Sequence, residues 1–156
     1  MHAKIFQLSR KPIEPDNYVT PGYFENDIFD DADYIGDSVT DPTERKMWIE
    51  AMVNTLHPLF SLEDETLVYQ GCETLLTKWI GEIKEKASHL NTNNFFDEAA
   101  RLIRMVQKTH VFSGSKFYIA DWCDEAVNPF DLIEYCKKKL KPGERLYIGS
   151  IIDYHY

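Results

Sequence analysis

Arg145-Leu146-Tyr147-Ile148-Gly149-Ser150-Ile151-Ile152-Asp153-Tyr154-His155 is the stretch from which the fold is read. Its β-branched and aromatic content favours a pleated strand, and Lys141-Pro142-Gly143 closes off whatever precedes it. Strict alternation sends Leu146, Ile148, Ser150, Ile152 and Tyr154 to one face and Tyr147, Gly149, Ile151, Asp153 and His155 to the other. The first face is expected to be the core side. The second carries Asp153 and His155, separated by about 7 Å of strand rise.

At the other end of the chain, Ala3 to Ser9 reads as a first strand, stopped by Arg10-Lys11-Pro12. Pairing of this strand with the last one would bring His2 or Lys4 towards Asp153. Between the two ends, Tyr34 to Val39 has strand character, and Asp41-Pro42 with Glu44 three residues after the cap announces a helix. Met47, Trp48, Ala51, Met52 and Leu56 then recur at helical spacing until His57-Pro58. Residues 59–70 fit either a hairpin or a helix start capped by Ser61, and Gly71 favours the hairpin because glycine sits badly inside a helix.

A clean apolar stripe, Cys72, Leu75, Leu76, Trp79, Ile80, Ile83 and Ala87, marks the next helix. After a turn at Asn91 to Asn94, Phe95, Phe96, Ala99, Leu102, Ile103 and Val106 mark another. Lys116 to Trp122 reads as a short strand. Asn128-Pro129 then caps a last helix, with Asp131 in its first turn and Lys137-Lys138-Lys139 in its last, as the helix dipole favours. The expected fold is therefore α+β: a mainly antiparallel sheet of about four to six strands with about four helices on one side. Trp48, Trp79, Leu75, Leu76, Ile80, Ile83, Leu102, Ile103, Ile148 and Ile152 are expected to share one core.

With 156 residues, 44% hydrophobic and 13% aromatic, the chain has the size and apolar content of a single domain over 1–156 that needs no disulfide or metal staple. Its longest charge-free run, Ala51 to Leu62, is too short to span hydrocarbon, and the N-terminus lacks the apolar run of a signal peptide. These features point to a cytoplasmic protein with no membrane partner. Three cysteines without a C-x-x-C pair agree with a reducing compartment. Cys72 and Cys136 read as small core residues, and Cys123 stands among Asp121, Asp124 and Glu125, which disfavour a thiolate.

The net charge of −9 is concentrated. Residues 12–44 hold ten carboxylates (Glu14, Asp16, Glu25, Asp27, Asp30, Asp31, Asp33, Asp37, Asp41 and Glu44) and no lysine or arginine. Aromatic and aliphatic residues run through the segment, so it is expected to be ordered and to pack on the domain. Such a balance opposes direct binding to nucleic acid or to anionic membranes and suits a basic protein partner. Asp27, Asp30, Asp31, Asp33 and Asp37 are the candidate binding residues, set against the plainer reading of a solvated acidic lobe.

Enzyme motifs are sparse: no phosphate-binding glycine loop, no G-x-S-x-G and no H-E-x-x-H. A calcium loop started at Asp31 fails at Ile35 and at Pro42, where an oxygen ligand and a bidentate glutamate belong. No cofactor and no metal site is indicated. Asp153 and His155 remain as candidate catalytic residues, because a carboxylate beside an imidazole can orient a general base.

Lys4-Ile5-Phe6-Gln7-Leu8-Ser9 with Pro12-Ile13, and Tyr147-Ile148-Gly149 followed by Asp153-Tyr154-His155-Tyr156, resemble the two ends of a family of small proteins of unknown function from gut bacteria and their mobile elements. The resemblance implies an accessory protein and brings no catalytic motif. Two functional expectations follow. The first is a non-catalytic interaction protein whose acidic face binds a basic protein, in its sharpest form by mimicking nucleic acid. The second is a small hydrolase or metal-dependent enzyme centred on Asp153 and His155.

Overall fold

The computed structural model describes residues 2–24, 34–106 and 114–155. Among them are seven strands, four α-helices and two single-turn 3-10 helices. The strands are β1 (His2–Ser9), β2 (Tyr34–Ser38), β3 (Phe60–Glu63), β4 (Thr66–Tyr69), β5 (Lys116–Ile119), β6 (Ala126–Val127) and β7 (Arg145–His155). The helices are α1 (Pro42–Thr55), α2 (Glu73–Ser88), α3 (Phe95–Val106) and α4 (Pro129–Lys139). The fold is α+β, and its sheet is mixed and larger than expected. Along the order β3-β4-β7-β1-β5-β6, only β1 and β5 run parallel, and β2 adds to β7.

Local signals account for most of the elements. Asp41 accepts the Glu44 amide at 2.8 Å and starts α1, while Asn128 accepts from Phe130 and Asp131 and starts α4. Residues 60–69 form the hairpin, with Asp64 and Glu65 both at positive φ (45° and 58°), as a two-residue turn between twisted strands requires. The strand expected over 116–122 ends at Ile119, where Trp122 and Cys123 turn back to the Ile119 carbonyl.

Alternation along β7 breaks once. Phe6 pairs with Ile151 and Leu8 with Ile148, so Gln7 alone faces both Gly149 and Ser150. This bulge moves the later residues to the opposite face. Leu146, Ile148 and Ile151 join the core built with all four α-helices. Ile152 and Tyr154, expected beside Leu146 and Ile148, instead pack on the other face with Ala3, Ile5, Phe24 and Tyr118. The segment 12–24 covers that second face, and Gln7 ties it down: its Oε1 accepts from Val19 N and Ser150 N, and its Nε2 donates to the Asn17 carbonyl.

The far edge of β7 is shared. β4 reaches it at Tyr147, and β2 joins again at Ile152. Arg45 fills the gap between them, donating to the Gly149 carbonyl at 2.7 Å and to the Ile148 carbonyl at 3.0 Å, with its Nε on Glu65. Two expected core members are also displaced: Ile80 is 50% and Ile103 is 54% exposed. Nothing among the described residues covers the outer side of α2 and α3.

Candidate functional site

Asp153 sits on the helix-side face of β7, opposite Lys4 of β1. Lys4 Nζ donates to Asp153 Oδ1 at 2.6 Å, and His2 Nδ1 donates to Oδ2 at 2.9 Å. The approach of His2 and Lys4 that strand pairing implied is therefore realised. The lysine is almost fully buried, and its ammonium lies 4.4 Å from the centroid of the Trp48 ring on α1. An aromatic face stabilises a cation taken out of water, so Trp48 and Asp153 together hold the charge. Trp48 in turn donates its indole N–H to Glu44 one helical turn earlier, at 3.1 Å.

Across the β2–β7 ladder, Gly36 and Asp37 form a second bulge opposite Asp153. A β-carbon on Gly36 would lie 3.2 Å from both the Cβ and the Oδ2 of Asp153. Glycine is therefore what lets the carboxylate lie between the two strands. His155 shares the face of Asp153, as expected, and packs edge-on against His2 (5.2 Å) and in a stack with Tyr34 (5.9 Å).

Lys4, Tyr34, Gly36 and Asp153 border a cleft of about 380 Å³, together with Asp37, Ser38 and Glu44. Its described lining contains one cation and three carboxylates. Burial alone would raise the Asp153 pKa, but the hydrogen bonds and charges of Lys4 and His2 outweigh it and hold the carboxyl below the usual aspartate range. A carboxylate stabilised in this way is a poor proton acceptor. With Asp153 neutralised by Lys4, the cleft presents the charge of Asp37 and Glu44.

Of the five candidate binding residues, Asp37 lines this cleft, and Asp27, Asp30, Asp31 and Asp33 lie outside the described residues. Every ion pair among the described residues uses a carboxylate outside 12–44. Glu14, Asp16, Asp37, Asp41 and Glu44 are all exposed and have no described cation within ion-pair distance. They do not form one face. Glu14 and Asp16 belong to the segment that covers the second side of the sheet, whereas Glu44 stands on α1.

Among the described residues, no group of three or more His, Cys, Asp or Glu is placed to hold a metal ion, and no helix is long and apolar enough to cross a membrane. Cys72 and Cys136 are buried, as expected. The Cys123 thiol is pushed up by burial first and by Glu125, Asp124 and Asp131 in addition. Sequence reasoning missed Trp48, Glu44 and Gly36 as parts of the site. The spacing of Glu44 and Trp48 on one helix face was the available signal. No family model, curated protein or solved structure matches the chain.

Proposed function

We propose that the protein is a non-catalytic interaction protein that receives a cationic side chain of a basic protein partner in the cleft between β2 and α1. One observation carries this reading: Asp37 and Glu44 border a cleft in which the only cation among the described residues is already committed to Asp153. A guanidinium or ammonium entering there meets two uncompensated carboxylates and exposed Tyr34. The acids of residues 12–44 add a long-range field that draws a basic surface towards it. An accessory role is also what the resemblance of the chain's two ends implies. The spread of the described acids over both sides of the sheet favours a local cleft over mimicry of a nucleic-acid backbone.

The test is an NMR titration with an arginine-rich peptide. Amide shifts are expected to centre on residues 34–39, Glu44 and Asp153, and Asp37→Asn/Glu44→Gln should abolish them. Shifts spread evenly over all exposed carboxylates would refute the cleft.

The alternative, a small hydrolase or metal-dependent enzyme centred on Asp153 and His155, draws on the His2–Asp153 hydrogen bond, in which a carboxylate orients an exposed imidazole. Loss of a hydrolytic activity in Asp153→Asn, with the fold intact, would favour it over the binding role.

A further inference from the structure

Among the described strands only β1 and β5 run parallel, and their last paired residues are Leu8 and Ile119. Beyond that point the two chains part. β1 runs on into the segment 12–24, which packs Val19 and Phe24 on the second face of the sheet. β5 instead turns back at Trp122, which packs on the helix-side core against Tyr135 of α4. Neighbouring parallel strands whose continuations leave to opposite faces open a crevice at their carboxyl ends, the position at which α/β sheets bind ligands. Here the crevice is a cleft of about 480 Å³, lined by Leu8, Ser9, Arg10, Lys11, Ala120 and Asp121, a size suited to a small molecule.

The polar groups of this cleft divide by strand. The end of β1 brings donors. Lys11 has no described carboxylate within ion-pair distance, and its amide donates to Ser9 Oγ at 3.0 Å, which fixes the turn out of the strand. Arg10 spends one guanidinium nitrogen on Glu144, at 2.9 Å, and the other oxygen of Glu144 accepts from the Lys141 amide. The end of β5 brings an acceptor, Asp121, which has no described cation within ion-pair distance. The fully buried Tyr135 hydroxyl stands behind it, 3.5 Å from Oδ2. Burial and the Asp121 charge push this phenol up to about 12, so it keeps its proton and donates to the carboxylate.

We propose that this cleft binds a small aliphatic phosphate ester that also carries a hydroxyl or ammonium group. The phosphate meets Lys11, the uncommitted side of the Arg10 fork and the Ser9 hydroxyl. Donors of three kinds suit a tetrahedral group with three acceptor oxygens better than a planar carboxylate. The hydroxyl or ammonium meets Asp121, which repels a bare anion and so selects a ligand with a donor at its other end. No aromatic ring is among the described lining, so a nucleobase finds no stacking platform. A phosphate polymer or an anionic bilayer would face the whole chain, whose net charge of −9 opposes it. The cleft shares no described residue with the acidic one beside Asp153, so the two sites are tested independently.

The probes are glycerol 3-phosphate, phosphoethanolamine, glycerol and inorganic phosphate, each titrated by NMR. Both esters should shift the amides of residues 8–11 and 119–121, with glycerol inert and inorganic phosphate roughly tenfold weaker than the better ester. Whichever ester binds tighter identifies the donor that Asp121 accepts. Lys11→Gln, an exposed change, should weaken both esters roughly tenfold. In Asp121→Ala the advantage of the esters over inorganic phosphate should vanish, a split that a general loss of structure does not produce. The dispersed amide spectrum and the response to the arginine-rich peptide should be unchanged in both variants. No shift with either ester, inorganic phosphate equal to both, or ester binding indifferent to Lys11→Gln would each overturn the proposal.

Discussion

A β-carbon on residue 149 would stand 2.7 Å from the Cδ of Gln7 and overlap its Oε1, so Gly149 is the space that the Gln7 side chain occupies. That amide accepts from Val19 and Ser150 and donates to Asn17. It joins the bulge in the longest strand to the segment covering the second face of the sheet. Gly149→Ala should therefore cost about 1–3 kcal/mol through overpacking, read as a lower urea midpoint. Gln7→Leu should cost a similar amount, since it leaves the part-buried Val19 N–H and the buried Ser150 N–H without their acceptor. A Gly149→Ala midpoint equal to wild type would mean the side chain does not hold the bulge.

Arg45 makes the complementary closure at the far edge of β7. Removing its guanidinium leaves the Ile148 and Gly149 carbonyls without their donor, so Arg45→Ala should lose about 1–3 kcal/mol. Arg45→Lys should recover little of it, because one ammonium cannot reproduce the fork. Thermal denaturation of the two variants checks this: full rescue by lysine would show that only charge matters there.

The Lys4–Asp153 pair makes stability depend on pH with a definite sign. The folded carboxyl titrates below the usual aspartate value of about 3.9. The pair's contribution is thus fully present above that value and is lost as pH falls through the folded pKa. At neutral pH Asp153→Asn leaves a buried ammonium without its counter-charge, at a cost of about 3–5 kcal/mol. The gap between wild type and Asp153→Asn in urea unfolding should narrow in acid. Lys4→Met/Asp153→Leu should restore much of the loss, because replacing both charges with apolar groups removes the desolvation penalty. A gap that stays constant into acid would contradict the pairing.

Core membership separates what was legible from what was not. Asp41-Pro42 with Glu44, Asn128-Pro129 and Pro142-Gly143 act within a few residues, and each element they announce is present. The meeting of Asp153 with Lys4 and His2 needed only the pairing of the two end strands. Alternation along β7 misplaced Ile152 and Tyr154 because one bulge reverses every later side chain. Gln7, a polar side chain among Ile5, Phe6 and Leu8, and Gly149 were the only traces of it. The stripes on α2 and α3 were read as core because periodicity reveals an apolar face without revealing what covers it. Gly36 was invisible as a site residue, and so was the contact of Trp48 with Lys4, since each acts through a partner distant in sequence.

The same distinction sets the cost of truncation. Leu132→Ala, at a fully buried position of α4, should cost about 2–5 kcal/mol. Ile80→Ala, half exposed, should fall well below that range. Comparable losses from the two in chemical denaturation would mean that α2 is covered after all.

Stopped-flow association with an arginine-rich peptide, at low and high salt, tests the acidic-cleft reading most directly. Wild type should associate quickly at low salt and slow steeply as salt screens the field over about 8 Å. Replacing Asp27, Asp30, Asp31 and Asp33 with asparagine should reduce the association rate far more than it raises the dissociation rate, as expected of charges that steer encounter. Asp37→Asn/Glu44→Gln should instead speed dissociation, as expected of charges in contact. Association that is indifferent to salt, or dissociation unchanged by the cleft substitutions, would contradict a cationic side chain seated between β2 and α1.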